Sequence, residues 1–131
     1  VDTTLAGDTP ANQNHTKLGK GVSLTAIDNM TVTNRGLLIY LENLCKKHQI
    51  PYQIGCFTKG GTDAGNIYKS ETGILATTLS IPIRYMHTHQ SIVHLGDVEA
   101  TLRLMCAICE DLTIEKYHQI LEYNYQYGME E

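Results

Sequence analysis

The feature that most constrains the fold of this chain is the segment Gly73–Pro82, which contains the nearly continuous apolar run ILATTLSI. A strand that is apolar along its whole length is typical of a sheet whose two faces are both covered by other elements. We therefore predict that Gly73–Pro82 is a strand at the centre of a mixed sheet. Helices packed against such a sheet place the chain in the α/β class.

Strand-like and helix-like segments alternate around this run. Segments with the length and apolar pattern of strands are Val1–Ala6, Val22–Ile27, Pro51–Phe57 and Ser91–His94. Segments with helical periodicity are Thr31–His48, Asp97–Leu112 and Glu115–Tyr127. Thr62 or Asp63 is expected to cap a further short helix that ends near Tyr68. This order predicts an αβα sandwich. The tyrosine-rich tail is expected to dock on the same domain, and docking on a partner is the alternative.

Composition excludes two classes of partner. The 131 residues are 42% hydrophobic and 18% charged, which is ordinary for a globular domain. The formal net charge of -4 argues against a nucleic-acid surface, because such a surface needs a basic stripe. No apolar run approaches the roughly 20 residues that a helix needs to cross a bilayer. We expect neither nucleic acid nor membrane as a partner.

The four cysteines indicate a reducing compartment. Cys106 and Cys109 have the CxxC spacing, but they lie inside an apolar helical segment rather than at a helix start, where a redox pair is activated. A zinc site would need two further ligands at suitable spacing. We predict that Cys45, Cys56 and this pair are reduced and packed in the interior, and that the protein is cytoplasmic.

Residues able to hold a metal ion occur at the predicted strand ends. Asp2 and Asp8 flank the exit of the first strand, where each is either a ligand or a turn-capping aspartate. The loop Arg84–Gln90 follows the apolar run and carries His87 and His89. These two histidines would share one face if the segment were extended, and imidazole is a common zinc ligand. A solvated histidine is the alternative for each.

A glycine-rich turn, Lys59–Gly65, precedes the predicted short helix. It does not match a Walker A loop, because no Lys-Ser/Thr pair follows the glycines. Glycines allow a backbone to approach a substrate closely, and a plain structural turn is the alternative. Because all three lie at predicted strand exits, we predict that Gly60–Asp63, the Arg84–Gln90 loop and Asp2 line one cleft.

Several ordered motifs resemble those of the glutamyl aminopeptidase and tetrahedral (TET) aminopeptidase family. The family shows D-V-T, A-x-D-x-P, L-G-K-G, GGTDAG, S-x-P-x-R-Y-x-H and D-V-x-A-T in this order. The corresponding segments here are Val1–Thr4, Ala6–Pro10, Leu18–Gly21, Gly60–Gly65, Ser80–His87 and Asp97–Thr101. The resemblance extends to about Leu112, and it implies a zinc-peptidase-like catalytic domain.

The resemblance implies roles for individual residues. Asp2 and His87 occupy the positions of two metal ligands, each facing a different ion of a zinc or cobalt pair. A water that bridges the two ions attacks the N-terminal peptide bond of the substrate, and a glutamate acts as general base. The residues expected to contact the substrate are Gly60, Gly61, Thr62, Asp63, Arg84 and His89.

Other family motifs are absent from the sequence. The family's first ligating histidine, its bridging aspartate, its Glu-Glu pair and its PDZ-like dimerisation domain have no counterpart in residues 1–131. We therefore expect a C-terminal portion of the catalytic domain that lacks a catalytic residue and is inactive alone, from a homo-oligomeric parent. Thr88-His89-Gln90 resembles the Ser-His-Gln of glutamyl-type members. The alternative function is a non-catalytic module that binds a peptide or a partner.

Overall fold

The computed structural model describes residues 1–10, 15–57 and 60–126, and side chains as far as residue 123. Its strands are β1 (Asp2–Leu5), β2 (Val22–Ile27), β3 (Tyr52–Cys56), β4 (Leu79–Arg84) and β5 (Ile92–Val93). Its helices are α1 (Arg35–Lys47), α2 (Ala64–Tyr68), α3 (Leu95–Asp111) and α4 (Ile114–Gln126). Within the described ranges, no helix has both the length and the apolar character needed to cross a membrane.

The strands form one five-stranded mixed sheet in the order β1-β4-β2-β3, with β5 paired to the end of β4. β1 is parallel to β4, and β2 is parallel to β3. The two parallel pairs are joined by antiparallel pairing of β2 with β4. The predicted mixed α/β sheet is therefore confirmed, and the strand from the apolar run lies in its interior.

The bounds of that central strand differ from the prediction. β4 begins at Leu79 rather than Gly73 and continues to Arg84. Just before it, Thr78 still accepts a backbone hydrogen bond from the N–H of Thr25 at 3.1 Å, but at Thr77 it is the side-chain hydroxyl that donates to the carbonyl oxygen of Thr25, at 3.1 Å. Hydrogen bonds of this kind offer the backbone an alternative to regular pairing.

Helices α1 and α3 pack against one face of the sheet, and α4 packs on α1. Their shared core consists of Val22, Leu24, Leu41, Leu44, Cys45, Ile50, Leu79, Ala100, Leu104 and Ala107. Burying each leucine side chain contributes about 1.5–3 kcal/mol to stability. Ile120 of α4 is also buried, so the last helix docks on this domain as predicted, although Tyr127 lies outside the described residues.

A polar cluster joins the three helices at their ends. The Asp111 carboxylate of α3 accepts hydrogen bonds from Lys116 at 2.7 Å, Lys47 at 3.1 Å and the hydroxyl of Tyr40 at 3.2 Å. The Lys116 and Lys47 ammonium groups lower the pKa of Asp111 to about 2. Burial, reinforced by the Asp111 charge, raises the pKa of Tyr40 to about 12.

Two helices start at residues other than those predicted. α1 begins at Arg35 instead of Thr31, because the Asn34 side chain accepts from the backbone N–H of Leu37 and caps the helix there. α3 begins at Leu95 instead of Asp97, with the ring of His94 accepting from the N–H of Gly96. In both cases a side-chain cap, rather than apolar periodicity, sets the boundary.

The prediction that all four cysteines are packed is wrong for three of them. All four are free thiols, but only Cys45 is buried, and burial raises its pKa to about 11. Cys56, Cys106 and Cys109 are exposed. For Cys106 and Cys109 the reason is that α3 turns a different face, the one containing Leu104, toward the sheet.

Candidate functional site

The site is a cleft of about 470 Å³ on the face of the sheet opposite the helices. Val22 and Leu24 of β2 point into the helical core, so alternation along the strand directs Ser23 and Thr25 to the opposite face. Thr25 lines the cleft there, and its hydroxyl lies 3.3 Å from that of Ser80 in β4. The floor of the cleft is consequently polar.

The cleft combines parts of the three regions that were predicted to form it. Its walls include Asp2, His87 and the turn Gly60–Thr62, three regions that are far apart in the sequence. Asp2 is the first residue of β1, rather than a residue at its exit. Because β2 runs antiparallel to β4, the start of β1 lies beside the ends of β2 and β3.

Asp28 is a cleft residue that the sequence did not single out. One carboxylate oxygen accepts from the backbone N–H groups of Met30 and Thr31, each at 2.7 Å, and the other faces the hydroxyl of Thr62 at 3.4 Å. Asp28 thus links the turn after β2 to the glycine-rich turn. The sequence signal for such a turn is an aspartate that directly follows a strand and precedes a threonine.

Each glycine at the start of the glycine-rich turn has a local reason to lack a side chain. Gly60 has a positive φ of 82°, which glycine adopts without strain. A Cβ at Gly61 would lie 2.5 Å from the Met30 side chain, so a larger residue is excluded there. Thr62 fixes the turn from behind, since its hydroxyl lies 2.6 Å from that of Thr78. Lys59 lies outside the described residues.

His87 lies in a tight turn whose backbone is strained. Tyr85 and His87 both have positive φ values, 59° and 61°, which are uncommon for residues with a side chain. The hydroxyls of Thr88 and Ser91 both donate to the carbonyl oxygen of Tyr85, at 2.6 and 3.2 Å, and hold the turn closed. Strain of this kind persists where the surroundings determine the conformation, and it concentrates at functional sites.

The turn conformation separates the two candidate histidines. Because residues 85–90 form a turn, the premise that His87 and His89 share a face of an extended segment is wrong. His87 lines the cleft, whereas His89 is exposed and is not among the cleft residues. Asp63 is also outside the lining, and as the residue before α2 it makes no side-chain cap.

Arg84 is engaged by Asp8 rather than directed into the cleft. Its Nε and Nη2 donate to the two carboxylate oxygens of Asp8, each at 2.9 Å. The Arg84 hydrogen bonds hold the pKa of Asp8 below its usual value, and those same bonds raise the pKa of Arg84. Asp8 also accepts from the N–H of Leu18 at 3.3 Å. The pair therefore ties the end of β4, just before the His87 turn, to the loop after β1.

Asp97, in the first turn of α3, contacts the later part of the same loop, residues 18–21. Its carboxylate is 1% exposed and accepts from the backbone N–H groups of Gly19 at 2.8 Å and Gly21 at 2.7 Å. The first turn of α3 is a favourable place for this buried negative charge, because the helix dipole is positive there. Asp8 and Asp97 together fix the loop 18–21 against the sheet.

Comparison with known proteins matches residues 1–104 to the M42 glutamyl aminopeptidase family. The chain belongs to the M42 glutamyl aminopeptidase family. Among curated relatives, the glutamyl aminopeptidase of Lactococcus lactis is 31% identical over 94% of this chain and 34% of its own length. The lysyl aminopeptidase of Pyrococcus furiosus is 34% identical over 73% of this chain and 27% of its own length.

Solved structures of M42-type enzymes share the fold. A TET aminopeptidase from a marine sediment Thaumarchaeota archaeon superimposes with a TM-score of 0.86 at 33% identity, covering 90% of this chain and 34% of its own. The TET1 peptidase of Pyrococcus horikoshii, which can assemble into a tetrahedron or an octahedral shell, gives a TM-score of 0.71 at 30% identity, covering 84% and 32%. The chain spans about a third of the length of the relatives it matches.

Membership of the M42 family implies divalent metal ions, and the cleft contains side chains of the types that bind such ions. Asp2 offers carboxylate oxygens and His87 an imidazole nitrogen, which are donors that zinc-type ions accept. Within the described ranges, no group of three or more His, Cys, Asp and Glu side chains is placed to hold an ion. The described residues therefore do not supply the three protein ligands of a catalytic metal site by themselves.

Proposed function

We propose that this chain forms part of a two-metal aminopeptidase that releases N-terminal residues from peptides. The observation that carries the proposal is the single cleft shared by Asp2, His87 and the Gly60–Thr62 turn in a member of the M42 family. Both candidate ligands and the glycine-rich turn come from different parts of the sequence. Their convergence on a polar floor is what a site that binds an ion together with a peptide requires.

Asp2 and His87 are the proposed metal ligands, each facing one of two zinc or cobalt ions. When bound, such a pair polarises a peptide carbonyl and supplies a nucleophilic water near neutral pH. The strained turn at His87 presents the imidazole in a fixed direction, because hydroxyl contacts on the Tyr85 carbonyl keep it closed. The backbone N–H of Thr3 donates to one Asp2 oxygen at 2.7 Å and orients that carboxylate.

The Gly60–Thr62 turn is the proposed contact for the substrate backbone. Gly60 and Gly61 present main chain without side chains, and Asp28 and Thr78 hold Thr62 in place. An acidic N-terminal residue is the proposed preference, from the likeness to glutamyl-type members. The substrate-binding roles of Asp63, Arg84 and His89 stay predictions, and the cleft geometry does not support them.

Residues outside this chain are proposed to complete the enzyme. Two ligands do not close a catalytic metal site, which takes three protein ligands and a water, and a two-metal site takes more. The 131-residue chain alone is therefore proposed to be inactive, with the general-base glutamate supplied by the part of the family fold that it does not match. A cytoplasmic homo-oligomer is proposed for the whole enzyme, since TET relatives assemble.

A chimaeric enzyme tests the proposal. Residues 1–131 would replace the segment that they match in the Thaumarchaeota TET aminopeptidase, and metal content would be measured by mass spectrometry together with hydrolysis of glutamyl and lysyl p-nitroanilides. We expect His87→Ala to remove about one metal ion per site and nearly all hydrolysis. His89→Ala is the matched control and should retain both ions.

The possible outcomes separate the functions. Full metal content and normal turnover in His87→Ala would show that another residue is the ligand. A folded chimaera that binds peptide without cleaving it would favour the non-catalytic binding module. Faster cleavage of the lysyl substrate than of the glutamyl one would overturn the proposed side-chain preference alone.

A further inference from the structure

Asp8 and Arg84 form a forked ion pair next to the candidate site. Nε and Nη2 of Arg84 donate to different carboxylate oxygens of Asp8, each at 2.9 Å. The Arg84 side chain is 34% exposed and that of Asp8 is 18% exposed, so water screens this pair less than a fully exposed one. Two such hydrogen bonds fix the direction of the guanidinium as well as its distance. The pair can therefore hold two segments of backbone in a set orientation.

The two segments that the pair joins are the loop after β1 and the end of β4. Asp8 is held in that loop by the backbone N–H of Leu18, which donates to its carboxylate at 3.3 Å. Arg84 is the last residue of β4, and it pairs with Ile92 across the hairpin that β4 forms with β5. The turn that contains His87 lies between these two paired residues. An orientation imposed on Arg84 therefore fixes the start of the turn.

The His87 turn has a backbone conformation that needs support from its surroundings. Tyr85 and His87 have φ values of 59° and 61°, a region that residues with a Cβ occupy at a cost. Such a conformation persists only where other contacts impose it. The hydroxyls of Thr88 and Ser91 bond to the Tyr85 carbonyl, but both come from within the same hairpin. Asp8 lies outside the hairpin, so its ion pair anchors the turn to another part of the fold.

We infer that Asp8 and Arg84 are positioning residues that set the direction in which His87 presents its imidazole to the cleft. Neither of them is among the described residues that line the cleft, whereas His87 is. The pair fixes the first residue of the turn, and the turn in turn carries the ring. This role replaces the predicted contact of Arg84 with substrate, because its guanidinium is engaged by Asp8. The inference rests on the proposed function where it treats the imidazole as a metal ligand.

Two other roles for this pair lead to different results. If Arg84 bound the substrate, its replacement would raise KM and leave metal affinity unchanged. If the pair only stabilised the fold, its loss would lower the free energy of unfolding and leave the turn unaltered in the folded chain. A positioning pair differs from both, because its loss changes the turn and the affinity for one ion while the chain stays folded.

Nuclear magnetic resonance of the 131-residue chain tests the effect on the turn. The Overhauser contact between the amide proton and Hα of one residue is strong when φ is positive, so we expect strong contacts at Tyr85 and His87 in the wild type. Asp8→Asn and Arg84→Lys should each weaken the His87 contact by about half, because neither keeps a forked ion pair. Asp111→Asn is the matched control, since it breaks an ion-pair cluster among the helices on the opposite face of the sheet. The control should leave both contacts unchanged.

Cobalt binding to the chimaeric aminopeptidase tests the effect on the ligand. Partners that orient a metal ligand change metal affinity by about 10–100-fold, so we expect Asp8→Asn and Arg84→Lys to raise the dissociation constant of one ion by at least about tenfold. The affected ion should be the one that His87→Ala removes, and its visible absorption should change. Adding Asp8→Asn to His87→Ala should weaken binding no further than His87→Ala alone, because the pair acts through that histidine.

Each outcome decides the inference. An unchanged His87 contact in Asp8→Asn, in a chain that circular dichroism shows to be folded, would overturn it. If Asp8→Asn unfolds the chain, Arg84→Lys retains the charge and decides by the same comparison. A raised KM for Arg84→Lys with unaltered cobalt affinity would assign Arg84 to the substrate instead. A wild-type chimaera that binds no cobalt would reject the proposed function, whereas a loosened turn in the two variants would still support the positioning role.

Discussion

The two sides of helix α3 differ in how much of their surface is covered by other residues of the chain. The inner side carries Leu104 into a core shared with α1 and the sheet, and its polar ends are held by Asp111 and Arg103. The outer side exposes Leu102 and its neighbours beside an edge strand. The comparison shows that the inner side is packed by residues of this chain, whereas the outer side is covered by none of the described residues.

The largest expected effect is the contrast between two leucines on this helix. Leu104→Ala removes a fully buried side chain and leaves a cavity, so we expect it to lower the free energy of unfolding of the isolated chain by about 2–5 kcal/mol. Leu102→Ala, its exposed neighbour, should change that free energy by less than about 0.5 kcal/mol. Urea denaturation followed by circular dichroism measures both. Comparable losses in the two variants would show that the outer side is already covered in the isolated chain.

The next largest effect on stability is expected at Asp97, whose buried carboxylate anchors the loop 18–21. In Asp97→Asn, one oxygen becomes an NH₂ group that faces a backbone N–H of Gly19 or Gly21, so a buried donor is left without an acceptor. We expect a loss of about 1–3 kcal/mol in the free energy of unfolding. Glu99→Gln is the matched control, because it removes an exposed carboxylate from the same helix. A change for Asp97→Asn no larger than that of the control would mean that the loop does not depend on this contact.

A smaller effect on stability should appear at low pH, where Asp111 in the helical layer becomes protonated. The pKa of Asp111 is lowered to about 2 by Lys116 and Lys47, from a usual value of 3.8. A depressed carboxyl pKa stabilises the fold above the unfolded-state value, and that contribution is lost as the pH falls through about 2. We expect the midpoint of urea unfolding to fall between pH 4 and about pH 2 in the wild type. Asp111→Asn should show a shallower fall over the same range, and equal slopes would contradict the assignment.

The smallest expected effect is at the surface of α1. Lys46 and Glu42 form an exposed ion pair with an N–O distance of 3.6 Å. Pairs of this kind on a helix contribute about 0.3–0.5 kcal/mol, and salt screens them. We expect Glu42→Gln to lower the free energy of unfolding by no more than that at low ionic strength, and by less in 1 M NaCl. A larger loss would mean that surface charge, rather than the buried core, contributes much of the stability of the inner side.

The class of fold was predictable from the sequence because its signals are local. The apolar run in Gly73–Pro82 predicted a central strand, and β4 does lie between β1 and β2. The start of that strand was not predictable from hydrophobicity, since regular pairing with β2 ends where the Thr77 hydroxyl, rather than its backbone N–H, donates to the carbonyl oxygen of Thr25. The start of α1 was misplaced for a similar reason, because Asn34 caps the helix inside the periodic segment.

Several residues of the cleft were predictable from the sequence, but the contacts between them were less so. Asp2, His87 and the glycine-rich turn were predicted to meet because they lie near predicted strand ends, and the cleft contains all three. The pairing of Arg84 with Asp8 and the contact of Asp28 with Thr62 depend on residues that meet only in the folded chain. The turn at His87 was also missed, because positive φ values at Tyr85 and His87 leave no compositional signal.

The contacts of Asp8 and Asp97 have a consequence for the order of folding. They join residues that are 76 and 78 positions apart, and closing such long loops costs entropy before any contact forms. β2, α1 and β3 follow one another directly, so their contacts close sooner. β1 is therefore expected to join the sheet late and to detach early during local opening. If Asp2 is a ligand, metal loading would follow the rest of folding, and a partly folded chain would not trap an ion at this strand.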